Sequence, residues 1–96
     1  MTGDSFSIPV IKRILTVLTE QGSTNRTGLA NRAGLNYTAC MRYLKFLSLL
    51  RWVNVSHEIS GGIITLTDAG KEFKAILDDS DELLAISKHN SVLQVR

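Results

Sequence analysis

Two groups of side chains in this chain carry chemistry beyond packing, and they lie close together. Arg26 and Thr27 follow the run Ser23-Thr24-Asn25, whose oxygens suit the cap of a short helix. Free backbone N–H groups, a hydroxyl and a guanidinium converge there, a set that binds phosphate; a capped, solvated turn explains the same residues equally well. The second group is Thr38, Met41, Arg42 and Lys45. At about 100° per residue they share one side of a helix, and Cys40, Tyr43, Leu44, Leu47 and Leu50 share the other. One face is core, and the other is cationic and exposed. Other chemistry is thin. His57, His89 and Cys40 stand at no spacing that makes a metal site or a nucleophile–base pair, and Gly61-Gly62 lies between two strands, where no phosphate loop forms. We therefore expect no metal, no cofactor and no enzymatic activity.

The elements that position these groups can be read from periodicity. A first helix begins at Ser7 or Ile8 with Pro9 in its first turn, buries Ile11, Ile14, Leu15 and Leu18 with Val10 and Val17 beside them, and stops at Gly22. Met1 to Phe6 reads as polar and frayed. A second helix, Arg26 to Ala33, turns Leu29, Ala30 and Ala33 inward and ends at Gly34. Gly28 within it costs about 1 kcal/mol against Ala and suggests close approach of another helix. Gly34-Leu35-Asn36 then leads into the third helix, Asn36 to Leu50, with Asn36 as its N-cap; this is the grammar of a helix-turn-helix. Trp52 to Glu58 alternates, with Trp52 or Val53 inward, and Gly61-Gly62 turns the chain into Ile63-Ile64-Thr65-Leu66, a β-hairpin that must pack on the helices. Thr67 caps a fourth helix with the stripe Ala69, Phe73, Ile76 and Leu77. Asp78 to Glu82 either breaks that helix or forms the solvated side of one continuing to about Lys88.

Composition sets the bounds. Ninety-six residues suit one small domain, and 44% hydrophobic with 21% charged residues argues for a folded chain. Net charge is only +2, but Met1 to Val53 carries seven Lys and Arg against two acids, whereas Asn54 to Arg96 carries four against seven. The basic half holds the helix-turn-helix. Cys40 is the single cysteine, on the core face, and reads as a small buried hydrophobe. No apolar run reaches membrane-spanning length and no targeting leader is evident, so the expectation is a cytoplasmic, nucleoid-associated protein without membrane contact.

The order helix, helix, turn, helix, hairpin, helix resembles the winged helix-turn-helix, and more closely the small archaeal winged-helix DNA-binding proteins, among them transcriptional regulators and chromatin-associated dimers. The resemblance covers about Ile11 to Leu77. It rests on Asn31-Arg32-Ala33-Gly34-Leu35-Asn36-Tyr37, on Tyr43-Leu44-Lys45-Phe46-Leu47, and on Leu66-Thr67-Asp68-Ala69-Gly70-Lys71-Glu72-Phe73, which looks like the family's Thr-x-x-Gly-x-x-Phe pattern after the wing. The chain departs from the pattern where the family turns with a Gly before the first wing strand, because Arg51 takes that place. Its wing also holds no Lys or Arg.

The resemblance implies an α+β, mostly helical fold with a winged helix-turn-helix domain over residues 1–77 and a C-terminal helical tail over residues 78–96. It further implies double-stranded DNA binding with the third helix in the major groove. Asn36, Tyr37, Thr38, Met41, Arg42 and Lys45 are then the candidate contacts. Arg42 suits base reading, because a guanidinium bonds guanine bidentately, and Lys45 suits phosphate. Tyr37 either offers its hydroxyl to phosphate or packs inward, and Asn36 is at least a cap. In the wing, His57, Ser60, Gly61 and Gly62 either approach a phosphate or stay solvated. Leu49 together with Leu83, Leu84, Ile86, Val92 and Leu93 gives more apolar surface than one small core needs, which points to a homodimer through the tail; the alternative is a tail folded back on its own chain. Transcriptional regulation without a small-molecule ligand is the first functional expectation, and a winged-helix protein–protein interaction module is the second.

Overall fold

The computed structural model describes residues 6–56 and 62–80. Helix α1, Ile8–Gln21, is capped by Ser7, whose hydroxyl accepts from the Val10 N–H, and is closed by the Gly22 N–H donating to the Leu18 carbonyl. Helix α2, Arg26–Ala33, is capped by Asn25, whose Oδ1 accepts from the Gly28 N–H at 2.7 Å. Helix α3, Tyr37–Leu49, is capped by Asn36, whose Oδ1 accepts from the Ala39 N–H at 2.8 Å. All three caps fall where short polar side chains stand before apolar periodicity. Strands β1, Val53–Val55, and β2, Ile64–Leu66, pair antiparallel with Val53 opposite Leu66. A fourth helix, α4, spans residues 68–80 of the described chain.

α1, α2 and α3 enclose one core in which Ile14, Leu15, Leu18, Leu29, Cys40 and Leu47 are sealed from solvent. Val53 and Ile64 bring the hairpin onto the same core, so Val53 is the inward strand residue and Trp52 packs at its edge. Each fully buried aliphatic side chain contributes about 1.5–3 kcal/mol. Ile64 is also bridged to Thr24, with N–H to carbonyl bonds of 3.1 and 2.8 Å in the two directions. The link between α1 and α2 is thus a third edge of the wing's sheet as well as a cap.

Several expectations need correction. Phe6 is not frayed. It meets Tyr43 edge-on at 5.0 Å and stacks on Phe46 at 4.3 Å, because the next residue's N–H donates to the Tyr43 hydroxyl at 2.8 Å and pins the chain to α3. Leu50 is 40% exposed, since α3 ends before it and the chain turns away. Gly28 is not approached by another helix. A Cβ there would meet Thr24 Oγ1 at 2.7 Å and the Oδ1 of the capping Asn25 at 3.0 Å, side chains at the start of its own helix. In α4, Phe73 and Leu77 pack on the core as expected, but Ala69 and Ile76 are exposed among the described residues. The acidic run, expected either to break the helix or to form its solvated side, lies within α4 as far as Ser80, where the described residues end. Asp78 accepts from Lys74 at 2.6 Å and faces Lys12 of α1 at 3.5 Å, tying the two helices.

Candidate nucleic-acid interface

α3 presents its polar side to solvent because the other side is fully used by Cys40, Tyr43, Leu44 and Leu47. Tyr37, Thr38, Arg42 and Lys45 are exposed and Met41 is half-buried. Tyr37 is 52% exposed, so it takes the outward of its two alternatives. Asn36 commits its carbonyl oxygen to the cap, leaving its amide hydrogens for any contact outside the helix. The Arg42 guanidinium lies 5.8 Å from the Phe6 ring centroid, a cation–π arrangement that gives this long side chain a preferred direction.

Beside α3 an open groove of ≈ 870 Å³ runs toward the hairpin. Its apolar wall is Met41, Leu44, Val53 and Val55, and its cationic groups are Arg26, Lys45 and Arg51, with Asp68 the one acid among the described lining residues. Arg26, which begins α2, is half-buried and reaches the loop end of the hairpin: a Cβ built on Gly62 would lie 3.0 Å from its Nη1. Thr27 is exposed on the first turn of α2. The structure therefore brings Arg26, Met41 and Lys45 to one groove and places Arg42 to one side, against Phe6. Of the wing candidates only Gly62 is described; His57, Ser60 and Gly61 lie outside the described residues, as do the tail residues Leu83, Leu84, Ile86, Val92 and Leu93.

Arg51 was not among the candidates read from sequence. Its signal there is the arginine standing where the winged-helix pattern that the chain resembles turns on glycine. In the structure it has a φ of +62°, the left-handed conformation a glycine would supply. Its N–H donates to the Ser48 carbonyl and the Trp52 N–H to the Leu47 carbonyl, both at 3.0 Å, so α3 ends in a Schellman motif. The end of α2 repeats the geometry with Gly34 in the equivalent place. The motif is fixed to α4 by Thr67, whose hydroxyl donates to the Arg51 carbonyl at 2.6 Å and accepts from the Gly70 N–H at 3.0 Å.

No family model and no curated protein matches the chain. Solved structures do. The fold is a winged helix. BpsR of Bordetella bronchiseptica, whose DNA binding is regulated by 6-hydroxynicotinic acid, superposes with a TM-score of 0.74 at 19% identity over 88% of this chain and 62% of its own. The oxidized form of MarR from E. coli gives 0.66 at 21% identity, over 88% of this chain and 60% of its own. Sso10a-2, a DNA-binding protein from Sulfolobus solfataricus, gives 0.67 at 21% identity, over 90% of this chain and 95% of its own. The chain spans about three-fifths of the length of the first two. Bacterial and archaeal proteins thus share the architecture that the order of elements implied. Among the described residues no helix is long and apolar enough to cross a membrane, and no cluster of His, Cys, Asp and Glu is placed to hold a metal ion.

Proposed function

We propose that this chain binds duplex DNA as a homodimer and acts as a transcriptional regulator at the nucleoid, in the manner of the small archaeal winged-helix proteins. The observation that carries the reading is the division of α3, whose inner side is sealed in the core while Thr38, Arg42 and Lys45 stand outward beside a groove edged by two further cations. A rigid helix with a cationic outer side fits the major groove, and the adjoining groove leaves room for a sugar–phosphate backbone. Arg42 reads a base edge, Lys45 contacts phosphate, and Tyr37, Thr38 and Met41 flank them. Arg26 and Thr27 at the start of α2 take a neighbouring phosphate. The C-terminal tail supplies the dimer interface, which sets two α3 helices against a palindromic site.

The test is binding of the purified chain to mixed-sequence duplex DNA by fluorescence anisotropy at several salt concentrations, followed by site selection. Affinity that weakens linearly on a log–log plot supports the reading, with about 0.9 in slope for each phosphate engaged. Arg42→Ala is expected to cost roughly 1–3 kcal/mol and to relax the preference at one position. Absence of binding at low salt sinks the reading and favours a protein–protein interaction module.

A further inference from the structure

Arg51 occupies a backbone position that suits glycine, and the structure gives its side chain no packing role that would call for arginine. It is exposed, and among the described residues neither Arg51 nor Lys45 is ion-paired. An L-residue in the left-handed region carries a conformational penalty that glycine avoids, and α2 avoids it with Gly34. What the arginine adds is charge at a fixed point. Its N–H is held by the Ser48 carbonyl and its own carbonyl by the Thr67 hydroxyl, so the side chain starts from a backbone clamped to both α3 and α4. From there it lines the groove with Lys45 and Arg26, at the junction of α3 and the wing.

We infer that Arg51 is a DNA-phosphate contact: with Lys45 and Arg26 it holds the backbone of the strand that passes between α3 and the wing. The inference rests on the DNA-binding reading above. Its occupant is argued from charge: among the described residues that line this open groove, three are cations and Asp68 is the one acid. It also accounts for a wing without Lys or Arg, since the cation that such a wing would offer stands instead at its root.

The test compares wild type, Arg51→Gly and Arg51→Lys by anisotropy across a salt series and by thermal melting. Arg51→Gly removes the charge and relieves the backbone, so it is expected to melt higher while losing about eightfold in affinity at 0.1 M salt, and about 0.9 in salt slope, for each Arg51 engaged. Sequence preference is expected to stay, because phosphate contacts carry none, and Arg51→Lys is expected to keep the wild-type slope. A merely structural Arg51 moves the melting temperature alone. If wild type binds DNA and Arg51→Gly binds with the same affinity and slope, the contact is refuted while the DNA-binding reading stands. If wild type binds no duplex, both fall. Calorimetric titration with benzoate tests a small organic anion as the occupant instead: binding by wild type that is lost in Arg51→Gly, with duplex affinity unchanged, makes the groove an organic-anion site and overturns the phosphate assignment.

Discussion

Replacing Gly70 by alanine sets two arguments against each other with opposite signs. Gly70 lies in the first turn of α4, where helix propensity alone favours alanine by about 1 kcal/mol. The structure says otherwise. A Cβ at Gly70 would overlap the Trp52 carbonyl oxygen and lie 3.0 Å from its carbon, and that carbonyl also accepts the Thr67 N–H at 3.1 Å. The obstacle is backbone already held in place, so no side chain can swing aside. To make room α4 must lift off the end of α3. That movement strains the Thr67 N–H bond to Trp52, the Thr67 hydroxyl bond to Arg51, and the stack of Trp52 on Phe73 at 3.7 Å. With hydrogen bonds near 1 kcal/mol each, an aromatic pair at 0.5–1.5, and the propensity gain subtracted, Gly70→Ala should destabilise by roughly 2 kcal/mol. Urea denaturation followed by far-UV circular dichroism measures this directly. Gly28→Ala is the internal comparison, because its Cβ meets only side-chain oxygens of Thr24 and Asn25, and it should cost clearly less. A Gly70→Ala variant as stable as wild type, or more so, would refute the close-approach argument.

Other perturbations test separate joints. Asn36→Ala removes the oxygen that caps α3 and should cost about 1 kcal/mol by denaturation. Asp78 has its pKa held below the usual carboxylate range by the hydrogen bond from Lys74 and the nearby charges of Lys74 and Lys12. A depressed carboxylate stabilises above its unfolded pKa and loses that contribution as pH falls through its folded one, so the melting temperatures of wild type and Asp78→Asn should converge below about pH 4 and separate above it. Cys40 is fully buried and burial pushes its thiol pKa up, so a thiol reagent such as dithionitrobenzoate should react only at the rate of opening and at once in urea.

Local rules carried most of the fold. Asn25, Asn36 and Thr67 cap helices because a short polar side chain before apolar periodicity can do little else, and Gly34 ends α2 for the same kind of reason. Long-range pairings were out of reach. Nothing near Phe6 announces Tyr43 and Phe46, and nothing near Thr24 announces Ile64, because each partner is brought in by the packing of whole helices. Leu50 misled for a simpler cause: periodicity continues past the point where the backbone leaves the helix. At the interface, the outward side of α3 followed from its pattern, whereas the groove did not, since Arg26, Lys45 and Arg51 come from two helix ends and a helix middle and meet only in three dimensions. Gly70 is the reverse case. It was recognised as part of a sequence pattern, and the Trp52 carbonyl supplies the physical cause.

The stacked pair at the root of the wing has a practical use. Trp52 is the single tryptophan of the chain, its ring lies 18° from parallel to Phe73 of α4, and it follows directly on Arg51, the proposed phosphate contact. Tryptophan fluorescence, excited selectively over the two tyrosines, therefore comes from one ring at one joint, where α3, the wing and α4 meet. Lifting of α4 brings water to that ring and shifts its emission to the red, and a DNA strand seated in the groove alters the surroundings of its neighbour. The protein thus carries an optical reporter of that joint, and no label has to be attached to follow it.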